Sequence, residues 1–267
     1  MIKPGEIQQK ARKAGVRDQQ IEKDYVLSWI LCGTARHIQL SKALAFKGGT
    51  VLKKVYFEDY RFSEDLDFTL LDESLTDEQI LTWFAEVFKR IREEANIPLE
   101  VIETNKHDDG GINFYISFVG PLGGQGSNKK IKTDISRTEK LVFPPVLMPV
   151  LTGYSDLPEH RLLCYSLEEV LVEKLRSVMQ RMQARDYYDL WYLLEHHNMD
   201  IDLYASEFEA KCAAKGLSAA DFHKKLSERL PQYKARWVKS LSEQIKDLPD
   251  FARAEREVQR HIRKLNM

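Results

Sequence analysis

Cysteine is scarce in this chain of 267 residues: Cys32, Cys164 and Cys212 are odd in number, scattered, and show no metal-ligand spacing. That excludes a disulfide framework and a thiolate metal site, and points to thiols kept reduced in a cytoplasm. Long apolar runs are missing too. None approaches the roughly 18 residues of a membrane-spanning helix, and the N-terminus, MIKPGEIQQKARKAG, has no apolar signal core. Secretory and membrane roles, and a membrane partner, are therefore not expected. An excess of one charge sign is lacking as well, the net charge being −1. With 43% hydrophobic and 30% charged residues the composition is that of a globular protein rather than a disordered one. The length allows a sizeable core in one large or two small domains.

The near-neutral total hides an uneven distribution. From Lys211 to the end there are 14 Lys and Arg against 7 Asp and Glu, a net +7, so the preceding part carries −8. Two readings of that basic end stand side by side: a surface for a polyanion, or a set of solvated helical faces. Phe222, Tyr233 and Trp237 among these cations either stack on bases or belong to a core.

The stretch from Phe46 to Leu70, FKGGTVLKKVYFEDYRFSEDLDFTL, carries the chemistry. A strand over Ala43–Lys47 runs into Gly48 and Gly49, then a short helix over Thr50–Phe57, then a strand with Asp65 and Asp67. Glycines at a helix start let backbone N–H groups approach an anion where the helix dipole favours phosphate. Thr50 suits either that cradle or a simple N-cap, while Lys53 and Lys54 are expected to be solvated. Two residues apart on a strand, Asp65 and Asp67 point to one face, with Leu66, Phe68 and Leu70 as the apolar alternate set. Parallel carboxylates repel unless a cation sits between them, and Mg²⁺ takes oxygen ligands of this kind. Ser63 falls on the same face and is a candidate phosphate ligand. A phosphate cradle followed by a metal site at Asp65 and Asp67 indicates nucleotide chemistry.

Gly48-Gly49-Thr50 with its helix, and Arg61-x-Ser63-x-Asp65-x-Asp67-Phe68, resemble the first motifs of the polymerase-β-type nucleotidyltransferase superfamily. More narrowly, they resemble the AbiEii/AbiGii-type toxins of abortive-infection and type IV toxin–antitoxin systems. Later motifs of that family are matched by Glu173-Lys174-Leu175 and by Arg185-Asp186-Tyr187-Tyr188-Asp189-Leu190. The resemblance implies an α/β fold in which a mixed nucleotidyltransferase-type sheet (1–155) precedes a helical C-terminal half (156–267), with the active site between them. It implies two Mg²⁺ ions, an NTP substrate, and a third carboxylate from a neighbouring strand, for which Asp134 is the candidate metal ligand or proton acceptor. Lys174 would sit over the triphosphate as a point charge, and Asp186 or Asp189 would hold that lysine or the incoming substrate. Thr50, Arg61 and Arg185 would join Gly48, Gly49 and Ser63 on the nucleotide. An RNA acceptor (the 3′ end of tRNA), blocked translation and a cognate antitoxin protein are further implications. The alternatives are a small-molecule nucleotidyltransferase, which needs no basic tail, and a non-catalytic nucleotide-binding regulatory protein.

The rest of the chain supplies context. Helices are expected over Ile2–Ala14, Asp18–His37 and Ser74–Ala95, with Lys23 and Asp24 either surface charges or supports of the site. Strands Leu99–Glu103 and Ile112–Val119 are joined by a turn through His107-Asp108-Asp109-Gly110-Gly111, and Gly120–Asn128 is a loop. Lys129–Ser136 alternates as a strand with Lys130, Lys132 and Asp134 on one side, and Asp134 reads otherwise as an exposed acid on an edge. Phe143–Pro149 is a connector, after which only helices are expected. Ser166 and Glu169 spell a capping box. An unbroken helix from there lines up Lys174, Arg181 and Arg185 towards solvent. His196 and His197 close a helix, and Gly216, Pro231 and Pro249 separate the last four.

Overall fold

The computed structural model describes residues 1–107, 110–124, 126 and 129–263. Asp108 and Asp109 of the expected turn, and residues 125, 127 and 128 of the loop after it, lie outside the described residues. Two compact units form: Met1–Glu139 with Pro145–Tyr165, and Lys140–Pro144 with Ser166–Met267.

In the first unit, among the described residues, seven strands make one mixed sheet: β1 (Leu44–Lys47), β2 (Leu66–Leu70), β3 (Leu99–Lys106), β4 (Ile112–Phe118), β5 (Lys130–Ser136), β6 (Val146–Pro149) and β7 (Arg161–Cys164). Their order is β3-β4-β5-β2-β1-β7-β6, with β2–β5 and β1–β7 parallel and the other pairs antiparallel. Alternation along β4 and β5 produces a sheet with two unlike faces. Ile112, Phe114 and Ile116 join Ile131, Ile135, Leu66 and Phe68 on a fully buried face. Each such side chain contributes roughly 1.5–3 kcal/mol by leaving water. Phe84 of helix α5 (Asp77–Ala95) meets Phe114 edge-on, ring centroids 5.2 Å apart. Asp67, Lys132, Asp134 and Asn113 alternate to the other, half-buried face.

Helices α1 (Pro4–Ala14) and α2 (Asp18–Arg36) fall where periodicity places them, and Gly15 closes α1 with φ +66°. The helix expected after the glycines splits in two. Four α-helical residues, Gly48–Val51 (α4, after a short α3 at Leu40–Ala43), continue as a π-helical turn over Leu52–Tyr56, with the Phe57 N–H donating to the Leu52 carbonyl at 2.8 Å. Residues 61–65 are not strand; β2 starts at Leu66. The expected connector 143–149 ends as the edge strand β6, where Pro149 is tolerated. The chain beyond it yields one more strand, β7, before any long helix. A complete capping box stands at Thr76 and Gln79, each side chain taking the other's backbone N–H. Thr76→Ala is expected to cost about 1 kcal/mol, read as a lower denaturant midpoint with an unchanged slope.

In the second unit α6 (Leu167–Gln180), α7 (Ala184–Glu195), α8 (Ala205–Ala213), α9 (Phe222–Leu241) and α10 (Phe251–Ile262) pack around aromatic side chains. Tyr187 stacks on Tyr233 at 5.2 Å and lies 5.6 Å from Phe251. Phe222, Tyr233 and Trp237 are therefore core and do not present rings to bases. Pro231 lies inside α9 rather than between helices. The line of cations is also broken, because α6 stops at Gln180 and Arg181 is extended (φ −121°, ψ 147°). The His196 and His197 N–H groups both donate to the Tyr192 carbonyl, closing α7 as expected. Among the described residues no helix is long and apolar enough to cross a membrane.

Candidate active site

Pairing register assembles the site on the polar face of the first unit's sheet. Asp67 on β2 faces Asp134 across the parallel pair with β5 and Lys47 across the antiparallel pair with β1, and Asn113 follows beyond Asp134. Directly paired residues share a face, so Lys47, Asp67, Asp134 and Asn113 form one row. Asp134 thus sits on an interior strand, not an edge.

Gly48 has its reason in this row. Its φ is +78°, and a Cβ there would lie 2.4 Å from Asp67 Oδ2. Only glycine leaves room for that carboxylate. Thr50 is no N-cap: it is buried within α4, and its hydroxyl donates to the Asp65 carbonyl at 2.7 Å, tying the glycine turn to the acid motif. Because the strand begins at Leu66, Ser63 and Asp65 belong to the approach segment and not to a strand face. Ser63 and Arg61 are buried there, with the Arg61 guanidinium donating to the Phe62 carbonyl at 3.3 Å.

Asp134 is already engaged. Lys132 Nζ lies 3.3 Å and His107 Nε2 3.2 Å from its Oδ2. Lys47 is buried, donates to Ser136 Oγ at 2.8 Å and lies 3.9 Å from Glu139. None of Lys47, His107 or Ser136 was singled out from sequence, since only strand pairing brings them beside the acids. A Lys two positions before Asp134 and another next to Gly48 were the available hints.

An all-oxygen donor set suits a hard divalent ion. Among the described residues, no group of three or more His, Cys, Asp or Glu side chains lies arranged to hold one. Mg²⁺ does not demand such a cage, since it is held by one or two carboxylates, waters and the phosphates of a substrate. Asp65, Asp67 and Asp134 offer oxygens of that kind, Asp134 while also bonded to Lys132 and His107.

Several charges expected at the surface are more deeply built than that. Lys54, expected at the surface, is buried and pairs with Asp24 at 2.6 Å, also donating to Ser28 Oγ at 2.8 Å. Asp24 accepts the Tyr154 hydroxyl at 2.7 Å, and burial together with that charge pushes the Tyr154 pKa well above its ordinary value. Lys23 reaches Glu64 at 2.7 Å, next to Asp65. Lys53 is drawn to the Glu58 carbonyl and lies over the Phe62 ring at 4.7 Å, and its pKa is lowered by burial. A groove of about 940 Å³ walled by Lys53, Lys54, Phe62 and Tyr154 does not include Asp65, Asp67 or Asp134. Carboxylate register, not volume, marks the candidate site.

The later motifs come together as one cluster within the second unit. Lys174 Nζ is 2.7 Å from both Asp186 Oδ1 and Asp189 Oδ2, and all three side chains are buried, Lys174 being 3% exposed. Arg181 adds bonds of 2.6 and 3.0 Å to Asp186. Burial alone would raise the Asp186 pKa, but Lys174 and Arg181 outweigh it and hold the group down to about 2. Both acids hold the lysine, and Arg185 lies half-buried beside them in sequence. Ser166 caps α6, but Glu169 does not return the bond. Its carboxylate accepts from the Val142 and Phe143 N–H groups at 3.0 and 2.8 Å and from Lys211 at 2.6 Å. Lys211, the first cation of the basic end, is 1% exposed and belongs to the interior.

A mixed sheet that opens a glycine turn onto register-matched aspartates is the framework of a nucleotidyltransferase, and that is the class of this protein. The sequence model of one family, described as nucleotidyl transferase AbiEii toxin, Type IV TA system, matches residues 29–260. The chain belongs to that family. Among solved structures it is similar to JHP933 from Helicobacter pylori, with a TM-score of 0.59 at 16% identity over 94% of this chain and 93% of the other. It is also similar to MenT4, a nucleotidyltransferase toxin from Mycobacterium tuberculosis, with a TM-score of 0.54 at 18% identity over 100% of both chains. At such identities these likenesses concern the fold. Among curated proteins no sequence matches significantly.

Proposed function

We propose that this chain transfers a nucleoside monophosphate from an NTP to a hydroxyl of RNA, the 3′ end of tRNA being the expected acceptor, and releases pyrophosphate. One observation carries the reading: the Asp67 carboxylate rests against a position open only to glycine, in register with Asp134. Asp65 and Asp67 would hold Mg²⁺, two ions in the full site, which when bound neutralises the reacting phosphoryl group and favours the ionised acceptor hydroxyl. Gly48 and Gly49 offer backbone N–H groups to the phosphates, with Ser63, Arg61 and Arg185 as further nucleotide ligands. Thr50 acts through Asp65 by fixing its carbonyl. Asp134 takes the role of third ligand or of proton acceptor for the attacking hydroxyl. Lys174, oriented by Asp186 and Asp189, supplies positive charge to the departing pyrophosphate. Family membership and the basic C-terminal end support an RNA acceptor, with arrested translation as the consequence and a cognate antitoxin protein as the control.

The test is incubation of the full chain with Mg²⁺, each labelled NTP and bulk tRNA, with Asp67→Asn alongside. Label on RNA from the wild type and far less from the variant is the expected result. Label confined to small hydroxylated compounds would overturn the RNA acceptor, and no label on any acceptor would overturn the transfer itself.

A further inference from the structure

Helix α9 carries six cations, Lys224, Lys225, Arg229, Lys234, Arg236 and Lys239, against a single acid, Glu228. Lys224, Lys234 and Lys239 are exposed and Lys225 half-buried. Among the described residues none of these four lysines has a side-chain hydrogen bond or ion pair. Other cations of the same unit are spent on the fold: Lys211 on Glu169, Arg181 on Asp186, Arg253 on Glu257 and Arg260 on Glu195. At 1.5 Å per residue the stretch from Lys224 to Lys239 covers about 22 Å. We infer that the solvent face of α9 is the surface on which the acceptor RNA docks, through its phosphates alone.

This deepens the RNA reading above and rests on it. The mode of contact follows from what the helix withholds. Its Phe222, Tyr233 and Trp237 rings are buried, so no stacking platform is offered to bases. Unpaired lysines meeting phosphates give binding that is indifferent to base sequence and steeply salt-dependent. A protein partner fits the face poorly, because lysine is depleted from protein interfaces, whose energy comes from buried aromatic and arginine anchors. Val238 is the one large apolar side chain exposed here among the described residues.

The experiment compares the wild type with K224E/K225E/K234E/K239E, three substitutions at exposed positions and one at the half-buried Lys225, using filter retention of labelled bulk tRNA at two or more salt concentrations. Circular dichroism and the affinity for an NTP check that the variant is folded. The expected result is at least tenfold weaker RNA retention near 0.1 M salt. The slope of log K against log salt should also be shallower by about 3, at roughly 0.7–0.9 per lost phosphate contact. Equal retention and slope in the two proteins would overturn the surface, as would loss of antitoxin binding with RNA retention intact. The two readings fail separately. A wild type that labels RNA while the variant retains it equally sinks only the docking surface, and a wild type that retains RNA through these lysines but labels nothing sinks only the transfer.

Discussion

Replacing Lys174 by methionine is expected to lower the unfolding free energy by about 3–5 kcal/mol, the range for removing one partner from a buried charge cluster. The lysine stands 2.7 Å from two carboxylates, and without it Asp189 loses this ammonium and Asp186 keeps Arg181. The penalty is the desolvation of the acid left behind, so neutralising that acid should repair it. Lys174→Met combined with Asp189→Asn is expected to regain most of the loss, because Arg181 and Asp186 then remain as a matched pair and no net charge is stranded. Chemical denaturation of the full chain measures both. Wild-type stability in Lys174→Met would mean that the lysine serves chemistry alone. The same cluster fixes an acid limit. The Asp186 pKa is held at about 2 in the folded protein, below the roughly 3.9 of an unfolded aspartate. Its contribution is thus complete above about pH 4 and is lost as pH falls towards 2.

That cluster also shows what could be read from sequence and what could not. Local patterns survive folding: the alternation of Ile131, Thr133 and Ile135 against Lys130, Lys132 and Asp134 is the two-faced β5, and the apolar stripe through Ile80, Phe84, Val87 and Ile91 is the buried side of α5. The mixed sheet and the family follow from such patterns and from ordered motifs. Charges were misjudged where a partner lies far along the chain. Lys54 and Asp24 are 30 residues apart and Lys211 and Glu169 are 42 apart, and nothing local distinguishes these lysines from solvated ones. The short β7, four residues without alternation strong enough to stand alone, becomes a strand because β6 pairs with all four of them and β1 takes it as a parallel neighbour at Phe46. Lys47 and His107 went unremarked as site residues because their relation to Asp67 and Asp134 exists only across strands.

Gly48→Ala is expected to slow nucleotide transfer about a hundredfold or more while leaving the protein folded. The backbone there is left-handed, which costs a residue with a Cβ about 1–2 kcal/mol, a loss that a chain of this size tolerates. The larger effect is at the carboxylate. A methyl group built at 48 meets Asp67 Oδ2 at 2.4 Å, so the oxygen must retreat by roughly 1 Å to reach ordinary contact, and a displacement of that size at a reacting centre costs on the order of 10² in rate. The effect should vanish in context: with Asp67→Asn already present, Gly48→Ala should add little further loss of rate, since both act on one group. Initial rates of label transfer for the two single variants and the double variant test this. Full activity in Gly48→Ala would detach the Asp67 carboxylate from the reaction, whereas additive losses would give the glycine a role of its own on the nucleotide. Non-additivity ties the glycine turn and the aspartate into one device, in which the absence of a side chain at 48 sets where the acid points.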